Sequence, residues 1–400
     1  MRAVVAEKKK SRLPGWLLVL FLALLATATD EFVIAGVLPA VADDLEVGVP
    51  AAGQLVTVFA VVYALGAPTL AAVCERFPRR TVLVAALAFF AVANAAAAVA
   101  PGYWWLMAAR VAAALGAAVV ASAVFATAAA GAPQGEQGRY LGVVTAGMTA
   151  ALFTGVPVGS WLGEALGWRA TFWLIAAVGA VAAVGAGLSA PTVPGAEPAP
   201  LRARLAPLRD LGVLRVAGVT FLAAGGGLMF YTYLAAYAAH TVSGSAGLLS
   251  FLLLVVGVAG LGGALAAGRI TDAWGPDRSL RLVVGGHTAA LALAAVLSFS
   301  PPAGAPVLTA VIACWALFAW GLTPPVQGSI LAAAGPSSGM TAMALNISGL
   351  YLGTGLAAAV GGMVIDLAGA AYVPLAATAL MAASFALTLV PGGAPRPAQG

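Results

Sequence analysis

The chain has 400 residues, 62% of them hydrophobic and only 8% charged, with a mean hydropathy of +1.01 and a formal net charge of +5. So few charges on so long a chain exclude a string of soluble domains and describe a polypeptide solvated by lipid. Lysine is confined to Lys8, Lys9 and Lys10, which excludes a glycine-rich phosphate loop ending in lysine, and the basic residues form no tract interleaved with aromatics, which excludes a nucleic-acid surface.

In chain order, Lys8, Lys9, Lys10 and Arg12 precede an apolar run in which Ala26-Thr27-Ala28 has the form of a secretory cleavage site. The run continues to Pro39, and about 24 apolar residues make a full span rather than a signal core. Windows of spanning length recur near 50–74, 81–100, 103–131, 138–163 and 168–190. A proline-rich basic stretch, 191–212, cannot span and reads as a linker. Six more windows follow, near 213–239, 246–268, 279–299, 305–333, 339–365 and 370–391. The expected fold is an all-α membrane protein of twelve transmembrane helices in two pseudo-symmetric six-helix bundles. Its parts are a tail (1–14), a bundle (15–190), the linker (191–212), a second bundle (213–391) and a tail (392–400). Cys74 and Cys314, with His240 and His287 the only histidines, build neither a disulfide framework nor a metal site, and no cofactor is expected.

Of the 19 basic residues, all but Arg169 and the intrahelical Arg110 fall in tails and loops on the side of the N-terminus. The positive-inside rule then puts both termini in the cytoplasm and the acidic loop Asp43, Asp44, Glu46 outside. The second inter-helix loop of each half carries an acid at the end of its helix, Glu75 in the first and Asp272 in the second, half a chain apart. A duplicated six-helix unit of this kind places a substrate site between its halves, near the midplane.

The first helix sets Thr29-Asp30-Glu31-Phe32 inside an otherwise apolar run. A carboxylate at that depth costs roughly 2.5–3.5 kcal/mol on insertion scales, so it is rarely there without a task. Asp30 lies about 22 Å along its helix and Arg110 about 10 Å below the outer face of the fourth, so the two are level and form a tolerable pair. Adjacent helical residues point about 100° apart, so one acid is expected to meet the cavity while the other packs toward Arg110 or a neighbouring helix. At least one is expected to carry a proton that competes with cargo; the alternative is a static pair that fixes packing. In the seventh helix Tyr231, Tyr233 and Tyr237 offer stacking surface to a planar ligand, Tyr233 and Tyr237 sharing a face at i, i+4, or else serve as core aromatics. Gln327, Asn346 and Tyr351 are further candidate cavity groups.

These features resemble the major facilitator superfamily across essentially the whole chain. Glu75-Arg76-x-Pro78-Arg79-Arg80 is similar to its G-x-x-x-D-R-x-G-R-R loop, with Ala71, Glu75 and Pro78 in place of Gly, Asp and Gly. Gly268, Asp272 and Gly275 restore that pattern in the second half, without the paired arginines. In the fifth helix Gly147, Gly155, Pro157, Gly159 and Gly163 resemble the antiporter motif of drug:proton antiporters, and Arg110 with Gly116-Ala117-Ala118 resembles the fourth helix of the same group. Thr29-Asp30-Glu31-Phe32 and Gly167-Trp168-Arg169 are similar to the chloramphenicol-resistance and arabinose-efflux permeases. The resemblance implies a conformational latch at Glu75, Arg76, Arg79, Arg80, Gly268, Asp272 and Gly275, the alternative for the arginine loop being simple retention of positive charge inside, and a bending fifth helix.

The implied activity is proton-coupled efflux of a small lipophilic or amphiphilic compound, chloramphenicol-like drugs among the candidates, by alternating access. Its partners are the small-molecule substrate, protons and the lipid bilayer of the inner membrane, with no nucleic acid and a monomeric chain. Export of a sugar, nucleoside or other metabolite is the second reading, and a non-transporting membrane sensor the third. No His, Cys and carboxylate constellation marks an enzyme.

Overall fold

The computed structural model describes residues 13–133, 137–195, 209–242, 247–300 and 304–390. The expected tails lie almost wholly outside these residues, as does the middle of the linker with Arg202 and Arg204. The described residues form helices, twelve of them long and apolar enough to cross a membrane. Spans 1 to 6 are Gly15–Asp44, Val49–Leu70, Arg79–Ala98, Tyr103–Gly131, Tyr140–Leu166 and Trp168–Ser189. Spans 7 to 12 are Leu211–Thr232, Leu248–Trp274, Pro276–Ser298, Ala305–Ala334, Leu345–Ala368 and Ala370–Leu389.

The turns repeat between the halves. Gly167 between spans 5 and 6 and Gly369 between spans 11 and 12 both have positive φ, 88° and 95°, which a residue with a Cβ rarely adopts. Span 7 begins at an aspartate cap, Asp210, whose Oδ1 accepts from the backbone of Gly212 at 2.8 Å and Val213 at 3.3 Å.

Three helices depart from the expected windows. The seventh breaks at Tyr233 (φ −105°, ψ 20°) and resumes as Leu234–Thr241. The fifth contains one turn of π-helix, Ala151–Gly155, just before Val156–Leu166 with Pro157 in its first turn. The expected gap between 333 and 339 is not a break: the interruption falls at Gly321 and Leu322, and one helical run, Thr323–Ala368, follows. Pro324 and Pro325 explain the restart, because a proline lacks the N–H that only the first turn of a helix can spare.

Lipid gives apolar helices no hydrophobic drive to associate, so close backbone approach through small residues carries the packing. Span 5 lies on span 1 through a ladder of one eight-residue step and two four-residue steps: Gly147 meets the Phe21 carbonyl, Gly155 meets Thr29, Gly159 meets Val33 and Gly163 meets Val37. Between bundles, Gly257 of span 8 rests on the backbone of Leu152 and Phe153 in the π turn, and Gly355 of span 11 rests on Thr57 and Val61 of span 2.

We call the side bearing Asp43, Asp44 and Glu46 the acidic face and the side bearing Arg76, Arg79 and Arg80 the basic face. Near the acidic face Ser250 of span 8 donates to Glu164 of span 5 at 3.0 Å. Toward the basic face the bundles part. Leu65 and Thr69 continue the Thr57–Val61 stripe of span 2 at four-residue steps, yet both are exposed, and Thr145 of span 5 is exposed two turns below Phe153. The shape is a pair of bundles closed at the acidic face and open at the basic one.

A Cβ at Gly159 would lie 2.7 Å from Val33 Cγ2 and 3.2 Å from Thr171 Cγ2, whereas one at Gly142 meets nothing within 4 Å. Gly159→Leu is therefore expected to cost about 1–3 kcal/mol of stability, with Gly142→Leu near neutral, as read by thermal denaturation in detergent.

Candidate functional site

The two acids of span 1 diverge as their helical spacing requires. Asp30 turns into the first bundle, where it is 0% exposed, and its Oδ1 accepts from Arg110 Nη1 of span 4 at 2.5 Å. Arg110 is 1% exposed, and its guanidinium lies over the rings of Phe59 at 4.3 Å and Phe172 at 5.9 Å. Each ring offers its negative face to the cation, so the charge is roofed on two sides while an ion partner holds the third. Asn94 of span 3 is buried in the same layer and donates to the Phe90 carbonyl at 3.1 Å. Such a pair repays its desolvation only while both members are present and close.

Glu31 turns the other way, to the seam between bundles. Its Oε2 accepts from Tyr351 Oη of span 11 at 2.8 Å, and the Tyr351 ring stacks on Tyr63 of span 2 with centroids 4.0 Å apart and planes 26° from parallel. Phe32 meets Tyr231 of span 7 edge to face at 5.8 Å, and Tyr231 Oη donates to the Phe32 carbonyl at 3.0 Å. A cavity of about 20 Å³ lies among Glu31, Phe59, Arg110, Tyr231, Tyr351 and Thr354. That is room for about one water, against the several hundred Å³ that a drug-sized ligand fills. A larger cargo therefore needs the seam to open.

Of the candidate residues, the structure brings Asp30, Glu31, Arg110, Tyr231 and Tyr351 to this one place. It does not bring Tyr233 and Tyr237 there. Tyr233 Oη donates to the Ala358 carbonyl at 2.6 Å, with its ring wedged between Gly53 and Gly361, and Tyr237 Oη donates to the Ala294 carbonyl at 3.0 Å. The two rings turn to different neighbours, Tyr233 to span 11 and Tyr237 to span 9, although Tyr237 N still donates to the Tyr233 carbonyl at 3.0 Å. Asn346 is buried with its Oδ1 unpaired, and Gln327 is exposed away from the cavity lining. Glu75 is half-buried; Arg76 is exposed over the Phe77 ring at 5.0 Å; the backbone of Arg79 donates to the Val193 carbonyl at 2.9 Å; Arg80 is half-buried. Gly268, the exposed Asp272 and Gly275 (φ 79°) end span 8 at the basic face. Phe59 and Tyr63 escaped sequence reasoning, although their i, i+4 spacing in a helix otherwise poor in aromatics was the available signal.

Two bundles of six helices with duplicated turns, and a buried ion pair beside a central seam, define a twelve-span membrane protein built from two similar halves. Residues 20–338 match the family model of the Major Facilitator Superfamily, and the chain belongs to that superfamily. It is a multi-pass membrane transporter, not an enzyme. It is 34% identical over 338 residues to the MFS-type transporter YbcL of Bacillus subtilis, covering 84% of this chain and 85% of that one. It is 36% identical over 270 residues to a chloramphenicol resistance protein of Streptomyces lividans, covering 65% and 67%. Among solved structures it resembles a bacterial homologue of the human lysosomal transporter Spinster, in an inward-facing, unoccupied conformation. That match has a TM-score of 0.72 at 17% identity and covers 94% of this chain and 97% of that one.

Arg110→Leu would leave the Asp30 carboxyl buried without its partner, so a loss of about 3–5 kcal/mol is expected. Pairing it with Asp30→Leu is expected to recover much of that loss in a double-mutant cycle of thermal stability.

Proposed function

We propose that the chain is a proton-coupled efflux antiporter of the inner membrane that exports a small lipophilic or amphiphilic compound by alternating access. The basic face is cytoplasmic, so the present shape is inward-open, and the protein works as a monomer. The observation that carries this reading is the division of labour between neighbouring acids. Asp30 is committed to Arg110 within one bundle, whereas Glu31 faces the seam, where cargo and protons arrive. Glu31 is the proton carrier, and Asp30 with Arg110 holds the helix that presents it.

The cavity lining favours an apolar cargo over a sugar or nucleoside. Its hydroxyls are already engaged as donors, Thr232 to the Leu228 carbonyl, Thr354 to the Leu350 carbonyl and Tyr231 to the Phe32 carbonyl, and the unpaired donors, Nε and Nη2, belong to Arg110 alone, so few groups are free to replace the water a sugar would lose. The chloramphenicol resistance protein among the relatives supports including chloramphenicol-like compounds in any panel. Each proton entering supplies about 2.3 kcal/mol per 100 mV of membrane potential, enough for appreciable export at one or two protons per cycle. The motif loops at Glu75, Arg76, Arg79 and Arg80, and at Gly268, Asp272 and Gly275, form the latch that closes the basic face in the opposite state. The glycine ladder and Pro157 make span 5 the bending element.

The test is counterflow in proteoliposomes under an imposed pH gradient, with a panel of antibiotics, sugars and nucleosides. An apolar antibiotic is expected to exchange, driven by the gradient. Glu31→Gln is expected to abolish the pH dependence while permitting exchange. Asp30→Asn is expected to lower the amount of folded protein first. Full proton-coupled efflux in both single variants and the double would refute the carrier role.

A further inference from the structure

Tyr351 belongs to the second bundle by its backbone and to the first by its contacts. Its hydroxyl is held by Glu31 of span 1 and its ring by Tyr63 of span 2, and it is 6% exposed. It also sits at the level where the bundles separate. One turn toward the acidic face, Gly355 packs on Thr57 and Val61; one turn toward the basic face, Ile347 is exposed. The hydrogen bond from Tyr351 to Glu31 therefore joins the two bundles at the fulcrum of their opening, through the acid that the proposed function assigns to the proton.

The geometry points to Tyr351 as the positioning residue that ties the proton on Glu31 to closure of the acidic face. Ionised Glu31 grips the Tyr351 hydroxyl and holds the seam shut; protonated Glu31 holds it more weakly and lets the seam open. A hydrogen bond to a charged acceptor is roughly twice as strong as one between neutral groups, which gives the bridge its dependence on the proton. Tyr351 keeps its own hydroxyl proton throughout, and the proton that moves is exchanged between Glu31 and water.

The groups facing Glu31 from the surrounding helices leave this role to it. They are Asp30 on its own helix, Arg110 on span 4, Tyr63 on span 2, Tyr231 on span 7 and Tyr351 itself. Asp30 and Arg110 neutralise one another, and the rest are phenols. Cargo entering from the basic face must displace Tyr351 from Glu31 to reach the seam, so cargo and proton break the same bridge from different sides.

This inference rests on Glu31 as the proton carrier, and the experiment separates the two. Full-length protein in lipid nanodiscs, with Cys74→Ser and Cys314→Ser, carries spin labels at Asp43→Cys and Leu367→Cys, exposed positions on the acidic face of opposite bundles. Pulsed electron–electron distance measurements across pH 5 to 9 then report the ratio of closed to open acidic face. In the otherwise unchanged chain the ratio is expected to fall as pH falls. Tyr351→Phe keeps the ring on Tyr63 and removes the donor; it is expected to lower the closed-to-open ratio about tenfold at high pH and by a smaller factor at low pH. Glu31→Gln is expected to hold the low-pH ratio at every pH. A Tyr351→Phe response equal to that of the unsubstituted chain, with Glu31→Gln flat, overturns the role of Tyr351 and leaves the carrier standing; a normal response in both overturns both. Should Tyr351→Phe fail to fold, Tyr351→Leu is read in the same assay and is expected to lower the high-pH ratio at least as far.

Discussion

A guanidinium and a carboxylate, both shut away from water in the middle of an apolar bundle, must stay in contact, because either one alone carries a desolvation cost that nothing else nearby repays. The contact between Arg110 and Asp30 therefore pins span 4 to span 1 at a fixed height and rotation, with Phe59 and Phe172 closing over the cation from spans 2 and 6. Once Asp30 is turned inward, helical geometry leaves its neighbour no choice: Glu31 emerges about 100° round the helix, toward the other bundle. The direction in which Glu31 points is thus a consequence of a structural pair one residue away.

The bundles meet through backbone rather than through large side chains. Gly257 on the π turn and Gly355 on Thr57 and Val61 bring main chains together where an added Cβ would strike its neighbour. A π turn widens the helix by one residue and departs from the i→i−4 pattern, and it sits just before Pro157, which lacks a backbone donor. A smooth glycine ladder against span 1 and a soft turn against span 8 form a contact suited to sliding and bending, whereas interlocked side chains would resist it.

The halves share an architecture and divide the chemistry. Span 1 supplies acids; the equivalent span 7 supplies Phe230 and Tyr231, packed against Trp315 and Trp320 of span 10. Behind this aromatic wall His287 accepts from Trp315 Nε1 at 3.0 Å and is 2% exposed, so its ring serves the packing of the second bundle rather than the seam. One bundle carries the charge and the other presents an apolar wall to it.

The amino-acid sequence by itself determined the number of spans, their order in two matched sets, and the height at which Asp30, Glu31 and Arg110 meet, because hydropathy and helical rise are local quantities that add along the chain. It also marked span 5 through the spacing of Gly155, Gly159 and Gly163. Only the tertiary structure decided which acid takes Arg110 and which faces the seam, since rotation of a helix is set by its neighbours and not by its own residues. The same holds for Tyr351, which reaches Glu31 from 320 positions along the chain, and for Tyr233, whose hydroxyl goes to the Ala358 carbonyl of span 11 instead of the cavity. A contact between distant segments depends on how whole bundles pack, and no periodicity within either segment encodes it.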